Sequence, residues 1–389
     1  MVSALKIPLF TIRHQQIGGT EFAIYNLVRG LAQTNARIQV VYDTLEHLSP
    51  EFRNWLSHTT IDQSAAFGLP GQKNVRFLQE ALFEWSRRKP DWVLYPNYFI
   101  PPRRPFFRGR SAVILHDIQY KLLPQYHSKQ RKAWLDLYLP WMFERADRVI
   151  VISQSEKRYV EEFFGTKAAM KCRVVPNAID WNRFDAHQPS EEESEFSNLL
   201  SQNYLLTVCH QFPHKNLQTL LTAFEQIAKR HPDLRLYMVG TNSASNQQFI
   251  ATKLSPSARE RVRLLGFLSD SELGQLYRNA KLFVLPSLYE GFGMPAVEAL
   301  GLGTPILVSG TTALPEATLG IGRYVEHPTD VDEWIAKLER ALVTSQRPTA
   351  EDIDLVRRTF EPRTTALALL GTLDGCDTDP GYLNPDMKH

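Results

Sequence analysis

The fold of this 389-residue chain is indicated most clearly by the stretch LPSLYEGFGMPAVEALGLGTPILVSG, at residues 285–310. A short apolar run precedes a glycine-rich turn, and the pattern of a helix and then a second apolar run follows it. Pro295 suits the first turn of that helix, and Gly291 and Gly293 allow the backbone to approach a ligand closely. The order predicts strand, turn, helix and strand in a parallel α/β sheet.

Short apolar segments alternate with longer amphipathic segments through most of the chain. The predicted strands are ALKIPLF, ARIQVVYD, DWVLYP, SAVILHD and DRVIVIS, then YLLTVC, LRLYMVG, VRLLGF, KLFVLPS and TPILVSG. Between them, NLQTLLTAFEQIAKRH has apolar residues at helical spacing, and SDSELGQLYRNA opens with a capping box from Ser269 to Glu272. This alternation predicts parallel sheets with helices on both faces.

The alternation is interrupted once, by the acidic segment DAHQPSEEESEFSNLLSQN, which reads as a solvated linker. It separates an N-terminal Rossmann-like domain at 1–185 from a C-terminal Rossmann-like domain at 200–361. The tail at 362–389 can pack back on the first domain, and whether its end at 371–389 is ordered stays open.

Composition and charge narrow the class of protein. The chain is 43% hydrophobic and 22% charged, as in ordinary globular proteins. A net charge of +2 gives no general attraction to nucleic acid, so no nucleic-acid partner is expected. Cys172, Cys209 and Cys376 lack the spacing of a disulfide framework or a zinc site, and no run of about 18 apolar residues occurs. A cytoplasmic location is therefore expected.

The two glutamates of the opening stretch occupy the edge of the sheet where ligands bind. In doubly wound sheets that edge lies beyond the carboxyl ends of the strands. The free N–H groups of the following helix favour an anion such as a diphosphate beside the turn. Glu298, one turn into the helix, can reach ribose hydroxyls, and Glu290 can reach the group beyond the diphosphate. The alternative is an ordinary turn with two surface glutamates.

The segment GFGMPA also matches the G-x-G-x-x-[GA] pattern of nicotinamide dinucleotide sites. Such a site requires an acidic residue at the end of the next strand. That strand, TPILVSG, ends in Ser309 and Gly310. The sequence therefore disfavours a dehydrogenase.

Other predicted strand ends carry further candidate residues. In HQFPHKN, Lys215 stands at a helix start where it suits a phosphate, and His210 can assist. In GFLSD, backbone groups of Phe267 and Leu268 can hold a nucleobase. For these loops the alternative is a solvated turn without a ligand.

The first half of the chain has two candidate sites of its own. Gly18 and Gly19 form a turn before a predicted helix, which is a second corner suited to an anion. His116 stands directly at a strand end, where a functional role competes with a structural hydrogen bond. No metal site is expected, because three D-x-D pairs read as helix caps or solvated surface: Asp330–Asp332, Asp352–Asp354 and Asp377–Asp379.

A basic and aromatic segment, RRPFFRGR, suits the headgroups of anionic lipids. A second mixed segment, SKQRKAWLDLYLPWM, follows it. The alternative is a solvated face over an ordinary core. The residues expected to touch a membrane are Arg103, Arg104, Arg108 and Arg110.

With these residues assembled, the chain resembles glycosyltransferase family 4, which has the GT-B fold, over nearly its whole length. The match is most specific in EGFGMPAVEA, which carries the family's E-x7-E signature, and in GTPILVSGTTALPE. VVPNAID resembles the VIPNGVD stretch that precedes the interdomain linker in the family. HDIQYKLLPQY resembles a subset that includes bacterial mannosyltransferases.

The resemblance implies transfer of a sugar from a nucleotide diphosphate sugar, with retention of anomeric configuration and without a metal or other cofactor. It implies that Glu298 holds the ribose, that Glu290 contacts the donor sugar and that Lys215 neutralises the diphosphate. His116 would lie near the C6 hydroxyl of that sugar. The residues implied to line the sugar, the phosphates and the acceptor side are Gly291, Phe292, Gly293, Met294, Gly18 and Gly19.

The chain departs from the family at one position. Many members have Gly-Arg five residues before the lysine, with the arginine on the diphosphate, and here the pair is Cys209 and His210. Either His210 substitutes, in which case donor affinity weakens as pH rises through the pKa of the histidine, or Lys215 carries most of the charge.

The donor preferred on the HDIQY segment is GDP-mannose. The expected acceptor is a growing surface glycan, such as lipopolysaccharide, or a lipid-linked sugar at the inner face of the plasma membrane. Two alternatives remain open: a nucleotide-sugar 2-epimerase of the same fold, and a non-catalytic protein that binds nucleotides or carbohydrates.

Overall fold

The computed structural model describes residues 2, 4–10, 12, 19–65, 91–100, 109–185, 193–241, 243–344 and 346–375. These residues form two compact units. The first contains the chain up to Ile179 and again from Phe360 onwards, and the second contains Asp180 to Thr359. Each unit is built on one parallel sheet, which confirms the predicted α/β class.

The strands are short, as expected for parallel sheets covered by helices. Those of the first unit are β1 (Ala4–Pro8), β2 (Arg37–Tyr42), β3 (Asp62–Ala65), β4 (Trp92–Tyr95), β5 (Arg110–Leu115), β6 (Arg148–Val151) and β7 (Cys172–Val174). Those of the second unit are β8 (Asn203–Val208), β9 (Leu234–Val239), β10 (Val262–Gly266), β11 (Leu282–Leu285), β12 (Ile306–Ser309) and β13 (Arg323–Val325).

Helices connect the strands. In the first half they are α1 (Gly19–Ala32), α2 (Pro50–Ser57), α3 (Gln119–Leu122), α4 (Lys129–Arg145), α5 (Gln154–Phe164) and α6 (Thr166–Ala169). The second half has α7 (Glu193–Leu200), α8 (Leu217–Arg230), α9 (Ala244–Lys253), α10 (Pro256–Arg259), α11 (Asp270–Asn279), α12 (Met294–Gly301), α13 (Leu314–Ala317), α14 (Val331–Thr344), α15 (Ala350–Thr359) and α16 (Pro362–Asp374). Short 3-10 helices occupy Leu45–His47, Pro124–Tyr126, Trp181–Phe184 and Pro213–Lys215.

Both sheets have the strand order of a Rossmann fold. Over the described residues the orders are β3-β2-β1-β4-β5-β6-β7 and β10-β9-β8-β11-β12-β13, and all pairs are parallel. The strand order therefore reverses between β1 and β4, and again between β8 and β11. In such sheets the crevice beyond the carboxyl ends of the strands at the reversal is where ligands bind.

The core of the second unit follows the predicted helical spacing. All four residues of β11 and all four of β12 are buried. On α8 the buried residues include Leu217, Leu220, Leu221 and Phe224, which form one stripe against the sheet. The predicted capping box at the start of α11 is confirmed, because the Ser269 and Glu272 side chains each accept from the other's backbone N–H.

Two features set the limits of the units. Helix α16 packs on α1 so closely that a Cβ on Gly30 would lie 1.9 Å from the carbonyl oxygen of Pro362, and Asn26 Nδ2 donates to the Ala178 carbonyl at 3.0 Å. The segment from Asp180 to Asp185 belongs to the second unit instead of the first, where the sequence placed it. The reason is that Trp181 and Phe184 are buried there.

Candidate functional site

The turn between β11 and α12 requires glycine at its last position. Gly293 has a φ of 90°, in the left-handed region that side chains rarely adopt, and a Cβ there would lie 2.5 Å from Leu314 Cδ2. Helix α12 then begins at Met294, with Pro295 in its first turn. The predicted strand, turn and helix are confirmed, and the helix begins beside the loop that carries Glu290.

Glu290 is held at the carboxyl edge by hydrogen bonds from two side chains. Its Oε1 accepts from Lys215 Nζ at 2.7 Å and from Ser287 Oγ at 2.7 Å. Its backbone N–H donates to Thr312 Oγ1 at 3.0 Å. The residue is only 9% exposed, so these hydrogen bonds hold a largely buried carboxylate in place.

Lys215 reaches Glu290 because their loops follow neighbouring strands at the reversal of strand order. The loop after β8 carries Lys215 at the end of a 3-10 helix, and the loop after β11 carries Glu290. The backbone N–H of Leu288 donates to the His214 carbonyl at 2.8 Å, which ties the two loops together. A lysine and a carboxylate thus meet where the topology predicts a ligand.

Glu298 lies in the first turns of α12 and is only 4% exposed. Its Oε1 accepts from Arg183 Nη2 at 2.6 Å, and its Oε2 accepts from the Tyr277 hydroxyl at 3.0 Å. Burial raises the pKa of the Glu298 carboxyl, and the Arg183 charge and the Tyr277 hydrogen bond oppose that increase. The sequence reasoning missed Arg183, which precedes Glu298 by 115 residues. The contact between Glu298 and a ribose stays a prediction.

His210 lies half-buried near Lys215. Burial lowers the pKa of its imidazole, and the Lys215 charge lowers it further. The ring is therefore neutral near pH 7, so it does not supply the permanent charge of an arginine. This favours the alternative in which Lys215 carries most of the charge.

The loop after β10 exposes one aromatic ring beside His210. Phe267 is 74% exposed, and its ring centroid lies 6.1 Å from that of His210. Leu268 follows it and is partly buried. The backbone N–H of Gly240 donates to the Gly266 carbonyl at 2.8 Å, which joins the loops after β9 and β10. The predicted nucleobase contacts of this loop remain predictions.

In the first unit, His116 follows β5 and is partly buried. Its Nε2 lies 2.9 Å from the carbonyl oxygen of Pro96. A carbonyl only accepts hydrogen bonds, so Nε2 carries the proton and Nδ1 is left as an acceptor. Burial lowers the pKa of this imidazole, which favours the neutral ring. Gly19 begins α1, and Gly18 lies outside the described residues.

The basic and aromatic segments are only partly described. Arg103, Arg104 and Arg108 lie outside the described residues, and the Arg110 guanidinium lies 4.4 Å from the ring centroid of Trp92. Within the part of the chain that the structure describes, we find no helix with the length and apolar character needed to cross a membrane.

The D-x-D pairs in the described ranges serve as caps and ion pairs. Asp330 Oδ1 accepts from the backbone N–H groups of Asp332 and Glu333 at the start of α14. Asp352 accepts from Thr349 at the start of α15, and Asp354 pairs with Arg358. Asp377–Asp379 lies outside the described residues. These contacts agree with their interpretation as caps and surface.

Both halves of the chain match models of known glycosyltransferases. Residues 17–183 match the model described as Glycosyltransferase Family 4, and residues 190–353 match the model described as Glycosyl transferases group 1. The chain is 28% identical over 274 residues to the O-antigen chain mannosyltransferase B of Escherichia coli, over 69% of this chain and 70% of that protein. It is 31% identical over 208 residues to the serotype-specific mannosyltransferase WbdA of Escherichia coli. That match covers 51% of this chain and only 25% of WbdA.

The fold is similar to that of HepE from Anabaena, whose crystal structure was solved in complex with UDP and glucose. The TM-score is 0.70 at 19% sequence identity, over 95% of this chain and 99% of HepE. This likeness supports the expected GT-B fold class.

Proposed function

The chain belongs to glycosyltransferase family 4, and we propose that it transfers mannose from GDP-mannose to a glycan or lipid-linked acceptor in surface polysaccharide synthesis. The observation that carries the proposal is the contact between Lys215 and Glu290 at the reversal of strand order. The similarity to two mannosyltransferases supports the choice of sugar.

We assign the donor to the loops around this contact. The diphosphate binds Lys215 and the backbone N–H groups of Gly291 to Met294, which lead into α12. The ribose hydroxyls donate to Glu298, and the hydroxyls of the donor sugar donate to Glu290. Phe267 and Leu268 face the base. His116 accepts a hydrogen bond from a sugar hydroxyl through Nδ1, the ring nitrogen that carries no proton.

The proposed reaction needs no nucleophile from the protein. The bond between C1 of the sugar and the phosphate oxygen breaks, and its electron pair leaves with the diphosphate. The acceptor oxygen bonds to C1 from the same face, and its proton passes to the leaving phosphate, so the configuration is retained. Lys215 and the helix N–H groups stabilise the charge that develops on the diphosphate, and we assign no metal to this step.

The contacts of Glu290 support this choice of mechanism. Its Oε1 already accepts hydrogen bonds from Lys215 and Ser287, so the lone pairs of that oxygen are directed at these two donors. A carboxylate held in this way suits hydrogen bonds from sugar hydroxyls better than attack on C1. Loss of transfer without loss of donor binding in Glu290→Gln is the expected consequence.

We place the acceptor reaction at the cytoplasmic face of the membrane. The arginines Arg103, Arg104, Arg108 and Arg110 are proposed to contact anionic lipid headgroups there. Binding to vesicles with and without phosphatidylglycerol tests this part separately.

A thermal-shift panel tests the donor site. GDP, UDP, ADP and dTDP, each with its common sugar conjugates, are added to the wild type, to Glu298→Ala and to Glu339→Ala. Glu339 is a matched control because it pairs with Arg230 and His231 on the surface of the same unit. A ligand that binds only the folded protein raises its stability by mass action. We expect a selective shift with GDP compounds that is lost only in Glu298→Ala.

No shift with any nucleotide would refute the donor site. Turnover then separates the alternatives: conversion of the donor without an acceptor indicates a 2-epimerase, and binding without turnover for any acceptor indicates a binding protein. Transfer that persists after dialysis against EDTA supports the metal-independent step, and transfer restored only by added Mg²⁺ or Mn²⁺ contradicts it.

A further inference from the structure

The 3-10 helix Trp181–Phe184 lies at the start of the second unit, and residues on both sides of Arg183 anchor it. Trp181 packs on Gly301, where a Cβ would lie 2.3 Å from Trp181 Cη2, and its Nε1 donates to the Arg357 carbonyl at 3.0 Å. Phe184 packs on Gly274 of α11, where a Cβ would lie 2.9 Å from Phe184 Cβ. The backbone around Arg183 is therefore fixed against α11 and α12.

From this position the guanidinium reaches two carboxylates. Nη2 donates to Glu298 Oε1 at 2.6 Å, and Nη1 lies 3.4 Å from Asp270 Oδ1. The guanidinium also lies 4.3 Å from the ring centroid of Phe184. The Arg183 side chain is 11% exposed and that of Glu298 is 5% exposed. A contact this short between two shielded charges strongly restricts the orientation of the carboxylate.

The Glu298 carboxylate retains acceptor capacity for further hydrogen bonds. An ionised carboxyl has about four acceptor positions, two on each oxygen. Among the contacts of the described residues, Arg183 takes one on Oε1 and Tyr277 takes one on Oε2, so one position on each oxygen remains. Two neighbouring hydroxyls, such as those at C2′ and C3′ of a ribose, match that remaining pair.

We propose that Arg183 is a positioning residue that holds the Glu298 carboxylate in the orientation needed to recognise the ribose of the donor, an inference that rests on the proposed function. Arg183 does not touch the ligand. It acts through Glu298, because removal of the guanidinium leaves a shielded carboxylate without its cation. Such a carboxylate takes up a proton more readily, and a protonated carboxyl has lost an acceptor position.

The charged and titratable groups around Glu298 make the effect dependent on pH in a defined direction. Arg183 favours the ionised form, the Tyr277 hydroxyl hydrogen-bonds to it, and Asp270 disfavours it. Asp180 faces Arg183, and Cys209 lies near Tyr277. Without Arg183, the burial of Glu298 is opposed only by the Tyr277 hydrogen bond. Recognition of the ribose should then improve as the pH rises, and this improvement should be larger than in the wild type, where Arg183 favours the ionised carboxylate.

The test compares GDP with 2′-deoxy-GDP, and UDP with 2′-deoxy-UDP, by isothermal titration calorimetry. The proteins are the wild type, Arg183→Met, Arg183→Lys and Glu298→Ala, with Arg347→Met as control. Arg347 donates to the carbonyls of Gly303 and Ala280 in the same unit. Thermal unfolding checks that each variant is folded.

We expect the wild type to prefer the ribonucleotide about ten- to a hundredfold, as for a hydrogen bond to a charged group. Arg183→Met should reduce this preference to less than about threefold at pH 6.5 and recover part of it at pH 8.5. Arg183→Lys should retain an intermediate preference if it folds, and Arg347→Met should retain the full one.

Two other outcomes would overturn different parts of the proposal. A full ribonucleotide preference in Arg183→Met, unchanged between pH 6.5 and pH 8.5, overturns the role of Arg183 and leaves the donor function intact. Equal binding of both sugars by the wild type and by Glu298→Ala overturns the ribose site itself, and the proposed role of Arg183 falls with it.

Discussion

Lys215 and Glu290 form an ion pair, and we expect substitutions of the two residues to have different effects on the binding of GDP. The Nζ to Oε1 distance is 2.7 Å, and the side chains are 15% and 11% exposed. At an effective dielectric constant of about 20, the attraction between unit charges at this distance is about 6 kcal/mol before desolvation is considered. Removing one partner of a buried pair costs about 3–5 kcal/mol, because the other charge is left uncompensated.

Lys215→Met should therefore be destabilised by about 3 kcal/mol, the lower end of that range, because Ser287 still donates to Glu290. The same variant should bind GDP about ten- to a hundredfold more weakly, as expected for the loss of a charge-assisted hydrogen bond to phosphate. Glu290→Gln keeps the shape of the side chain and releases Lys215 from its carboxylate. GDP should bind this variant as tightly as the wild type or more tightly, while sugar transfer is lost.

Urea unfolding measures the stability of each variant, and calorimetric titration with GDP and UDP measures binding. Ser287→Ala is the matched control, because it removes the second hydrogen bond to Glu290 without changing any charge. The reasoning is refuted if Glu290→Gln weakens diphosphate binding as much as Lys215→Met does. That result would mean that the pair acts as one unit and that Lys215 is not available to a phosphate.

The remaining predictions concern His210 and the packing of Trp181 on Gly301. Because burial and Lys215 lower the pKa of His210, its ring is mostly neutral above pH 6.5, so GDP affinity should not fall between pH 6.5 and pH 8. His210→Arg should strengthen GDP binding at both pH values, and a fall in wild-type affinity over this range would contradict the assignment. Gly301→Ala should cost about 1–3 kcal/mol in urea unfolding, because its Cβ would lie 2.3 Å from Trp181. Gly19→Ala is its control, because none of the described neighbours considered lies within 4 Å of the added Cβ. An equal loss in both variants would argue against the steric explanation.

The central strands were predictable from the sequence, and three edge strands were not. Each predicted apolar run contains a strand of the structure. All of these strands except β10 are central, and a central parallel strand is buried on both faces and needs continuous apolar residues. The missed strands, β3, β7 and β13, lie at the edges of the two sheets and have only three or four residues. The sequence of β3, DQSA, is largely polar, so no apolar pattern marks it.

The site was predictable where chemistry and topology coincide. A lysine after one strand and a glutamate after another indicate a meeting at the carboxyl edge once the strand order is known, and Lys215 and Glu290 do meet there. Arg183 was not predictable in the same way. It lies beside the predicted linker, and only the packing of Trp181 and Phe184 brings it to Glu298.

Two carboxylates beside the proposed diphosphate site require an explanation, because they would repel a diphosphate. The structure gives each carboxylate its own cation from a distant part of the chain: Lys215, 75 residues before Glu290, and Arg183, 115 residues before Glu298. The four side chains together are close to neutral, so neither glutamate presents an uncompensated charge. Of the two cations, we propose that only Lys215, which follows the strand at the reversal of strand order, also pairs with the diphosphate. The carboxylates retain acceptor positions for hydroxyl groups, which is the division of roles that a nucleotide sugar requires.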